Sequence, residues 1–140
     1  MRTYDDINIG DEEVLEKLIT EELVAKFAEI SGDINPLHLN EEFAKTTQFK
    51  ARIAHGALLI SFISTAIYNF AGQGAIALSQ DVRFLRPIYV GDTMKLIAKA
   101  VEKEMRRGQG VVRFEIKCKN PKGKDAVSGF IEIIAPPKEA

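Results

Sequence analysis

The sequence predicts an α+β fold in which an antiparallel sheet is wrapped around one long buried helix. Residues 56–70, GALLISFISTAIYNF, form the longest apolar stretch and read as a helix that is apolar on most sides. After the glycines of GQG the period changes from helical to strand-like. The strand-like segments are residues 75–88, 93–105, 111–119 and 126–134. One long helix followed by several strands is typical of an α+β domain.

The first third of the chain predicts a strand and then a helix. Residues 13–19, EVLEKLI, are expected to form the first strand. Thr20 is a good helix N-cap, and the glutamates that follow it suit the positive end of the helix dipole. Apolar residues then recur at helical spacing through 21–31, and Gly32 provides a C-terminal stop. We therefore expect an amphipathic helix over residues 21–31.

Residues 33–54 predict mostly irregular structure. Asn35 precedes a proline and is therefore disfavoured in a helix, whereas Pro36 is suited to opening a short turn. Asn40 is placed to cap a small helix over residues 41–44.

Two further patterns support antiparallel hairpins in the second half. Residues 111–119 alternate between apolar and charged side chains, so one face of this strand is expected to be buried. The segments 106–110, RRGQG, and 120–124, NPKGK, carry the turn residues that join such strands.

Composition limits the classes of function. The 140 residues fit a single domain over 1–140, and the net charge of −1 provides no basic field for nucleic acid. No apolar stretch approaches the ~20 residues needed to span a bilayer, and no signal-peptide pattern is visible, so we expect neither a membrane partner nor export. The single cysteine, Cys118, excludes an internal disulfide and a cysteine-rich zinc site, and it suits the cytoplasm.

The segment 32–40, GDINPLHLN, is the first candidate functional site. Asp33 and His38 are five positions apart in non-helical chain, so a turn can bring both side chains to one water molecule. Histidine is the side chain best suited to exchange protons near neutral pH. The alternative is ordinary turn chemistry around Asn35 and Pro36 with a loop histidine. The chain has only two histidines, which does not suit a metal site.

The second candidate is the start of the long helix, AHG at 54–56. The first backbone N–H groups of a helix have no helical partner, and Gly56 has no side chain to block an approaching oxygen, so its N–H could stabilise an oxyanion. His55 is expected to pack or cap at the helix start rather than to react. Ser61 and Ser64 lie on one polar stripe of this helix, where small hydroxyls often bond to their own backbone.

Three segments together resemble the MaoC-like family of hotdog proteins, which includes the (R)-specific enoyl-CoA hydratases. The resemblance rests on AEISGDINPLH (28–38) followed by Ala44, on AHG (54–56), and on VRFLRPIYVGD (82–92). It implies a hotdog fold and the reversible hydration of a trans-2-enoyl-CoA to an (R)-3-hydroxyacyl-CoA by a hydro-lyase without metal or redox cofactor.

The resemblance also implies roles for single residues. Asp33 and His38 would form the hydration dyad, and the Gly56 N–H would bind the thioester carbonyl. Ser64, nine positions after His55, falls where the family often has a serine that supports the catalytic histidine, with Ser61 as a competitor for this role. Apart from the resemblance, Asn35 and His55 are expected as further supporting residues.

Arg52 is a departure from the family pattern. Relatives often carry a proline at this position, so the loop that enters the helix is expected to differ here. Arg52 could reach a phosphate of the CoA carrier, and the alternative is a solvated arginine.

Three other functions remain open from the sequence. They are dehydration of 3-hydroxyacyl thioesters on acyl-carrier protein in fatty-acid synthesis, acyl-CoA thioester hydrolysis, and a non-catalytic role as an acyl-thioester-binding subunit. A single sheet of this size leaves its edge strands unpaired, which favours a homodimer or a dimer of dimers. The family resemblance implies the same assembly.

Overall fold

The computed structural model describes residues 2–137, which form four helices, one 3-10 turn and one five-stranded antiparallel sheet. In chain order the elements are the 3-10 turn Tyr4–Asp6, β1 Glu12–Leu18, α1 Glu21–Ser31, α2 Pro36–Leu39, α3 Glu41–Lys45, α4 Gly56–Ala71, β2 Ile76–Phe84, β3 Thr93–Arg106, β4 Gln109–Lys119 and β5 Asp125–Ile134. The predicted α+β class, with its single long helix, is confirmed.

The sheet has the strand order β1-β3-β4-β5-β2, so β1 and β2 are its two edges. The hairpins predicted at 106–110 and 120–124 join β3 to β4 and β4 to β5. In β4 the residues Val112, Phe114, Ile116 and Cys118 are buried, as their alternation with charged residues predicts. This face of the sheet packs against α4.

The long helix α4 packs seven buried residues against the sheet and so supplies one side of the core. The ring of Phe70 in α4 packs edge to face against the ring of Phe114 in β4, with 5.1 Å between the centroids. The expectation that α4 is buried on most sides holds apart from one face that the single chain leaves exposed. Ser61, Ser64 and Tyr68 are exposed along one face of the helix.

The elements predicted before residue 32 are confirmed. Thr20 caps α1 by accepting a hydrogen bond from the Leu23 N–H at 3.1 Å. Gly32 ends the helix with φ of 79°, a left-handed conformation that a side chain would disfavour.

The strand predicted over 75–88 is too long, because β2 ends at Phe84. The N–H groups of Leu85 and Arg86 both converge on the carbonyl of Ala126, at 2.8 and 3.3 Å, so the regular ladder stops there. Pro87 has no N–H with which to resume it. The chain then passes close to the start of α4, where the Ala54 N–H donates to the Ile88 carbonyl at 2.8 Å.

Residues 33–54 are more regular than predicted, because two short helices fill part of this segment. Asn40 caps α3 as expected, accepting from the Phe43 N–H at 3.0 Å. A turn was expected to open at Pro36, and Pro36 is in fact the first residue of α2. His38 therefore lies on this short helix rather than in an irregular loop.

Among residues 2–137, the helices are all too short or too polar to cross a membrane.

Candidate functional site

A cavity of about 650 Å³ opens where α2, the start of α4 and the segment after β2 meet. Its walls are mostly apolar, and His38 and Arg86 are its only ionisable side chains among the described residues. The lining residues are His38, Phe49, Ile53, Ala54, Gly56, Ala57, Leu59, Ile60, Phe84, Leu85, Arg86, Pro87 and Ile88. The cavity therefore brings together the three segments that the sequence analysis singled out.

His38 is buried, with only 8% of its surface exposed. Its Nδ1 lies 2.7 Å from the carbonyl oxygen of Ile53. A carbonyl can only accept a hydrogen bond, so Nδ1 carries the proton and Nε2 keeps a free lone pair. Burial lowers the pKa of His38 below its usual value of 6.5, the Ile53 hydrogen bond raises it, the nearby His55 lowers it and Asp33 raises it. The ring is thus held as a neutral acceptor of protons.

Asp33 lies in the exposed turn between α1 and α2. One of its carboxylate oxygens accepts a hydrogen bond from the Asn35 N–H at 3.1 Å, and its own N–H donates to Ser31 Oγ at 3.1 Å. A carboxylate oxygen of Asp33 and a ring nitrogen of His38 lie within 4.8 Å of each other. Two hydrogen bonds of ~2.8 Å through one water molecule span such a distance, so the pair can hold a shared water.

Asn35 gives this turn its shape. Its side-chain oxygen accepts a hydrogen bond from the Leu37 N–H at 3.0 Å and so caps α2, the helix that carries His38. The supporting role that was expected for Asn35 therefore has a local structural basis, and its effect on chemistry stays a prediction.

The start of α4 presents free donors to the cavity. The N–H groups of Gly56 and Ala57 have no hydrogen-bond partner within residues 2–137, as expected for a first helical turn. A Cβ on Gly56 would lie 2.6 Å from the ring of Phe84, so a side chain at this position would have to displace that ring. The sequence did not reveal the contact, because Phe84 is 28 positions away in the chain.

His55 is almost fully buried, at 1% exposure, directly before α4. Its Nε2 lies 3.1 Å from the backbone carbonyl oxygen of Asp33, and its ring stacks on His38 with 4.0 Å between centroids. The expectation that His55 packs at the helix entry agrees with this burial, but the side chain makes no hydrogen bond to cap α4.

Two of the expected site residues lie apart from His38. Ser64 is exposed and lines a second cavity, about 570 Å³, between the outer face of α4 and β2. Within residues 2–137 it makes no hydrogen bond to His38, so the expected support of the histidine by Ser64 is not seen in the single chain. Ser61 donates instead to the carbonyl of Leu58, at 2.6 Å, within its own helix.

Arg52 is neither solvated nor free. Its guanidinium forms ion pairs with Glu21, at the start of α1, and with Glu41, at the start of α3. Its side chain is only 15% exposed, because it lies between these two helix ends. A CoA phosphate would have to compete with both carboxylates for the guanidinium of Arg52.

Asp33, His38 and His55 are also the one group of side chains within residues 2–137 that could hold a metal ion, with one ligand atom each. One nitrogen of each ring already faces a backbone carbonyl, Ile53 for His38 and Asp33 for His55. The expectation of a site without metal stays a prediction.

Comparison with known proteins gives a consistent result. Residues 9–120 match the family model described as the MaoC like domain. An (R)-specific enoyl-CoA hydratase of Rhodospirillum rubrum is 36% identical over 95% of this chain and 91% of its own length. A 3-hydroxybutyryl-CoA dehydratase of Methylorubrum extorquens is 34% identical over 97% of this chain and 85% of its own length.

The fold agrees with the same group. The unliganded R-hydratase PhaJ1 of Pseudomonas aeruginosa superimposes with a TM-score of 0.90 and 39% identity, covering 97% of this chain and 86% of that one. The predicted hotdog arrangement is therefore confirmed.

Proposed function

The chain belongs to the MaoC-like domain family, and on that premise we propose that it catalyses the reversible hydration of trans-2-enoyl-CoA to (R)-3-hydroxyacyl-CoA. It is a hydro-lyase, as are the hydratase and dehydratase that it resembles over most of its length. The observation that carries the proposal is the proximity of the Asp33 carboxylate to the ring of His38, which lines an apolar cavity.

The first step is polarisation of the thioester. Its carbonyl oxygen accepts a hydrogen bond from the Gly56 N–H at the positive end of α4, and the acyl chain occupies the apolar cavity. This interaction withdraws electrons from the C2–C3 double bond, so C3 becomes the electrophile. The interaction strengthens as negative charge grows on the oxygen, and it therefore lowers the barrier.

The second step is addition of water. Asp33 and His38 hold one water over C3, and its proton passes to the unprotonated Nε2 of His38 as the oxygen bonds to carbon. The protonated dyad then gives a proton to C2 on the same face, which returns His38 to its neutral form. No step requires a metal or a redox cofactor, so treatment with a chelator should leave the rate unchanged.

The decisive experiment follows the loss of enoyl absorbance with crotonyl-CoA and analyses the configuration of the product. We expect almost entirely (R)-3-hydroxybutyryl-CoA, since the dyad holds water on one face. An (S) or racemic product would place the water elsewhere.

The same assay separates the alternatives. Hydrolysis would release a free thiol, which a thiol reagent detects, whereas hydration leaves the thioester intact. Cys118 cannot serve as a nucleophile for hydrolysis, because burial raises the pKa of its thiol to about 12. A carrier-protein dehydratase would favour the acyl-carrier substrate over the CoA substrate, and a binding subunit would turn over neither.

The enzyme acts as a homodimer, or a dimer of dimers, built on the β2 edge. Eight of the nine residues of β2 are exposed, and they include Ile76, Leu78 and Phe84. The adjoining face of α4 is exposed as well, with Tyr68 at 61%. A second copy would cover both surfaces and the cavity between them, and Ser64 would then lie at the interface.

We assign the enzyme to the cytoplasm. A CoA thioester is an intracellular substrate, and a single buried free cysteine suits a reducing compartment.

A further inference from the structure

His55 is placed between the two members of the dyad. Its ring lies against Phe27 of α1, with 4.9 Å between centroids, and against His38 of α2 at 4.0 Å. The planes of the two histidine rings are tilted by 30°, so the rings lie face against face rather than edge to face. One side chain at the start of α4 therefore contacts the base directly.

The same ring holds the backbone that carries the carboxylate. His55 Nε2 lies 3.1 Å from the carbonyl oxygen of Asp33, which is 22 positions earlier in the chain. Since a carbonyl only accepts, Nε2 carries the proton in this contact. This hydrogen bond connects the exposed turn of Asp33 to the buried start of α4.

Packing alone does not account for a histidine here. With the proton on Nε2, the other nitrogen, Nδ1, is buried without a hydrogen-bond partner. A phenylalanine would fill the same aromatic space beside Phe27 and would not bury an unpaired nitrogen. The advantage of histidine must lie in the hydrogen bond to Asp33 and in the basic character of the ring that faces His38.

We propose that His55 is a positioning residue for the hydration reaction: it fixes the ring of His38 by stacking, fixes the turn of Asp33 through its backbone carbonyl, and opposes a positive charge on His38. The inference rests on the proposed function and assigns His55 a part in it beyond packing at the helix entry. His55 acts through Asp33 and His38 and makes no contact with the reacting atoms.

The electrostatic part follows from proximity. In addition to burial, the His55 ring, with its centroid 4.0 Å from that of His38, disfavours a positive charge on His38 and so lowers the pKa of His38. The charged groups that face His38 are Asp33 from the preceding turn, which favours the protonated ring, and Arg86 across the cavity, which is anchored to the Asp125 carbonyl at 2.8 Å. His55 offsets Asp33 and keeps His38 available as a base.

Two variants separate the contributions. His55→Gln retains an amide N–H that can reach the Asp33 carbonyl, and it removes the stacked ring. His55→Phe retains the ring and removes both the donor and the second basic group. We expect each to lower kcat by about tenfold or more while KM changes little, because a small displacement of a reacting group is costly. The acid limb of the kcat/KM profile should move to higher pH in His55→Phe.

A spectroscopic measurement tests the same inference without any substrate. The chain has only two histidines, so His55→Phe leaves His38 as the single imidazole signal in an NMR titration. Its titration midpoint should lie above that of His38 in the wild-type protein. If no enoyl-CoA is hydrated by any of the proteins, the proposed function fails, and this titration still decides whether His55 controls the charge of His38.

Controls distinguish positioning from stability. Phe114→Leu, in the fully buried core of β4, should lower Tm without moving the pH profile. Adding His55→Phe to His38→Asn should lower kcat no further, because a residue that acts through His38 has no effect once the base is gone. Wild-type kcat together with an unchanged His38 titration in His55→Phe would overturn the proposal. An activity loss that only parallels the loss of folded protein, as in Phe114→Leu, would do the same.

Discussion

At the scale of single residues, His38 combines burial with a free lone pair. The Ile53 carbonyl accepts a hydrogen bond from the Nδ1 of His38, so the donor of the ring is satisfied and Nε2 keeps its lone pair. The sequence suggested a loop side chain near water, whereas the ring is buried in a short helix. A substitution of His38 that removes the hydrogen bond to the Ile53 carbonyl would therefore disturb the fold as well as the chemistry.

His38→Asn is consequently the cleanest test of the base. The asparagine amide can still donate to the Ile53 carbonyl, but it has no group in the place of Nε2. We expect kcat for crotonyl-CoA hydration to fall by at least ~10²-fold, the usual effect of losing a positioned acid or base. Asp33→Asn should have a similar effect, and the double variant should be little worse than the worse single one. Near-native turnover by His38→Asn would contradict the assignment.

Gly56 is constrained by the ring of Phe84 and, in the proposed mechanism, by the thioester oxygen of the substrate. Gly56→Val should raise KM and lower kcat together, because the new side chain meets both the thioester oxygen and the Phe84 ring. The exposed ring of Phe84 can move, so the protein should remain folded. Steady-state kinetics beside a thermal melt will check this. If adding Phe84→Ala to Gly56→Val restored full activity, packing alone would explain the glycine.

The pH dependence of stability should also report His38. Burial lowers its pKa below 6.5 in the folded protein, so the unfolded chain takes up a proton first as the pH falls. The contribution of neutral His38 is fully present above about pH 6.5 and is lost as the pH falls towards the folded-state pKa. Urea midpoints between about pH 5 and pH 8 should fall on acidification. The fall should be shallower in His38→Asn, and an identical slope would contradict the buried neutral ring.

At the scale of elements, the proposed dyad lies on α2 and on the turn that precedes it. The sequence predicted the N-caps of two neighbouring helices but not α2 itself. The N-cap of α1 at Thr20 and that of α3 at Asn40 were predicted, because the glutamates that follow them are a strong local signal. The helix α2 was missed, since four residues have too little periodicity to show in a sequence. The contacts of Ile53 with His38 and of Glu21 with Arg52 join residues far apart in the chain, and no local pattern encodes them.

The two asparagine caps provide a matched pair of variants. Asn35→Ala removes the cap of α2, which carries His38, and Asn40→Ala removes the cap of α3, which carries no proposed catalytic group. Each should cost about 1 kcal/mol of stability. Only Asn35→Ala should also lower kcat, because it loosens the ring of His38 and the turn of Asp33. Equal kinetic effects of the two variants would show that the cap of α2 has no special role.

At the scale of the whole molecule, the single chain leaves one side uncovered. The core lies between α4 and the inner face of the sheet, and the sequence predicted this from the alternation in β4. The exposed β2 edge could not be predicted, because strand order depends on pairing between distant segments: β2 lies beside β5, more than 40 positions later. With its apolar residues and the open face of α4, this side has the composition of an interface rather than of a solvated surface.

The two edges of the sheet give a direct test of the proposed dimer. In sedimentation at micromolar concentration the wild-type protein should have twice the 15.6 kDa chain mass, or a multiple of it. Leu78→Lys, on the exposed β2 edge, should shift the protein to the monomer, because it would bury a charge without a partner in the interface. Val14→Lys, an equally exposed position on the β1 edge, should leave the dimer intact. If Ser64 acts only from within the dimer, the monomeric variant should also lose activity in proportion to its dissociation. A wild-type monomer with full activity would contradict the proposed assembly and would leave the apolar β2 edge unexplained.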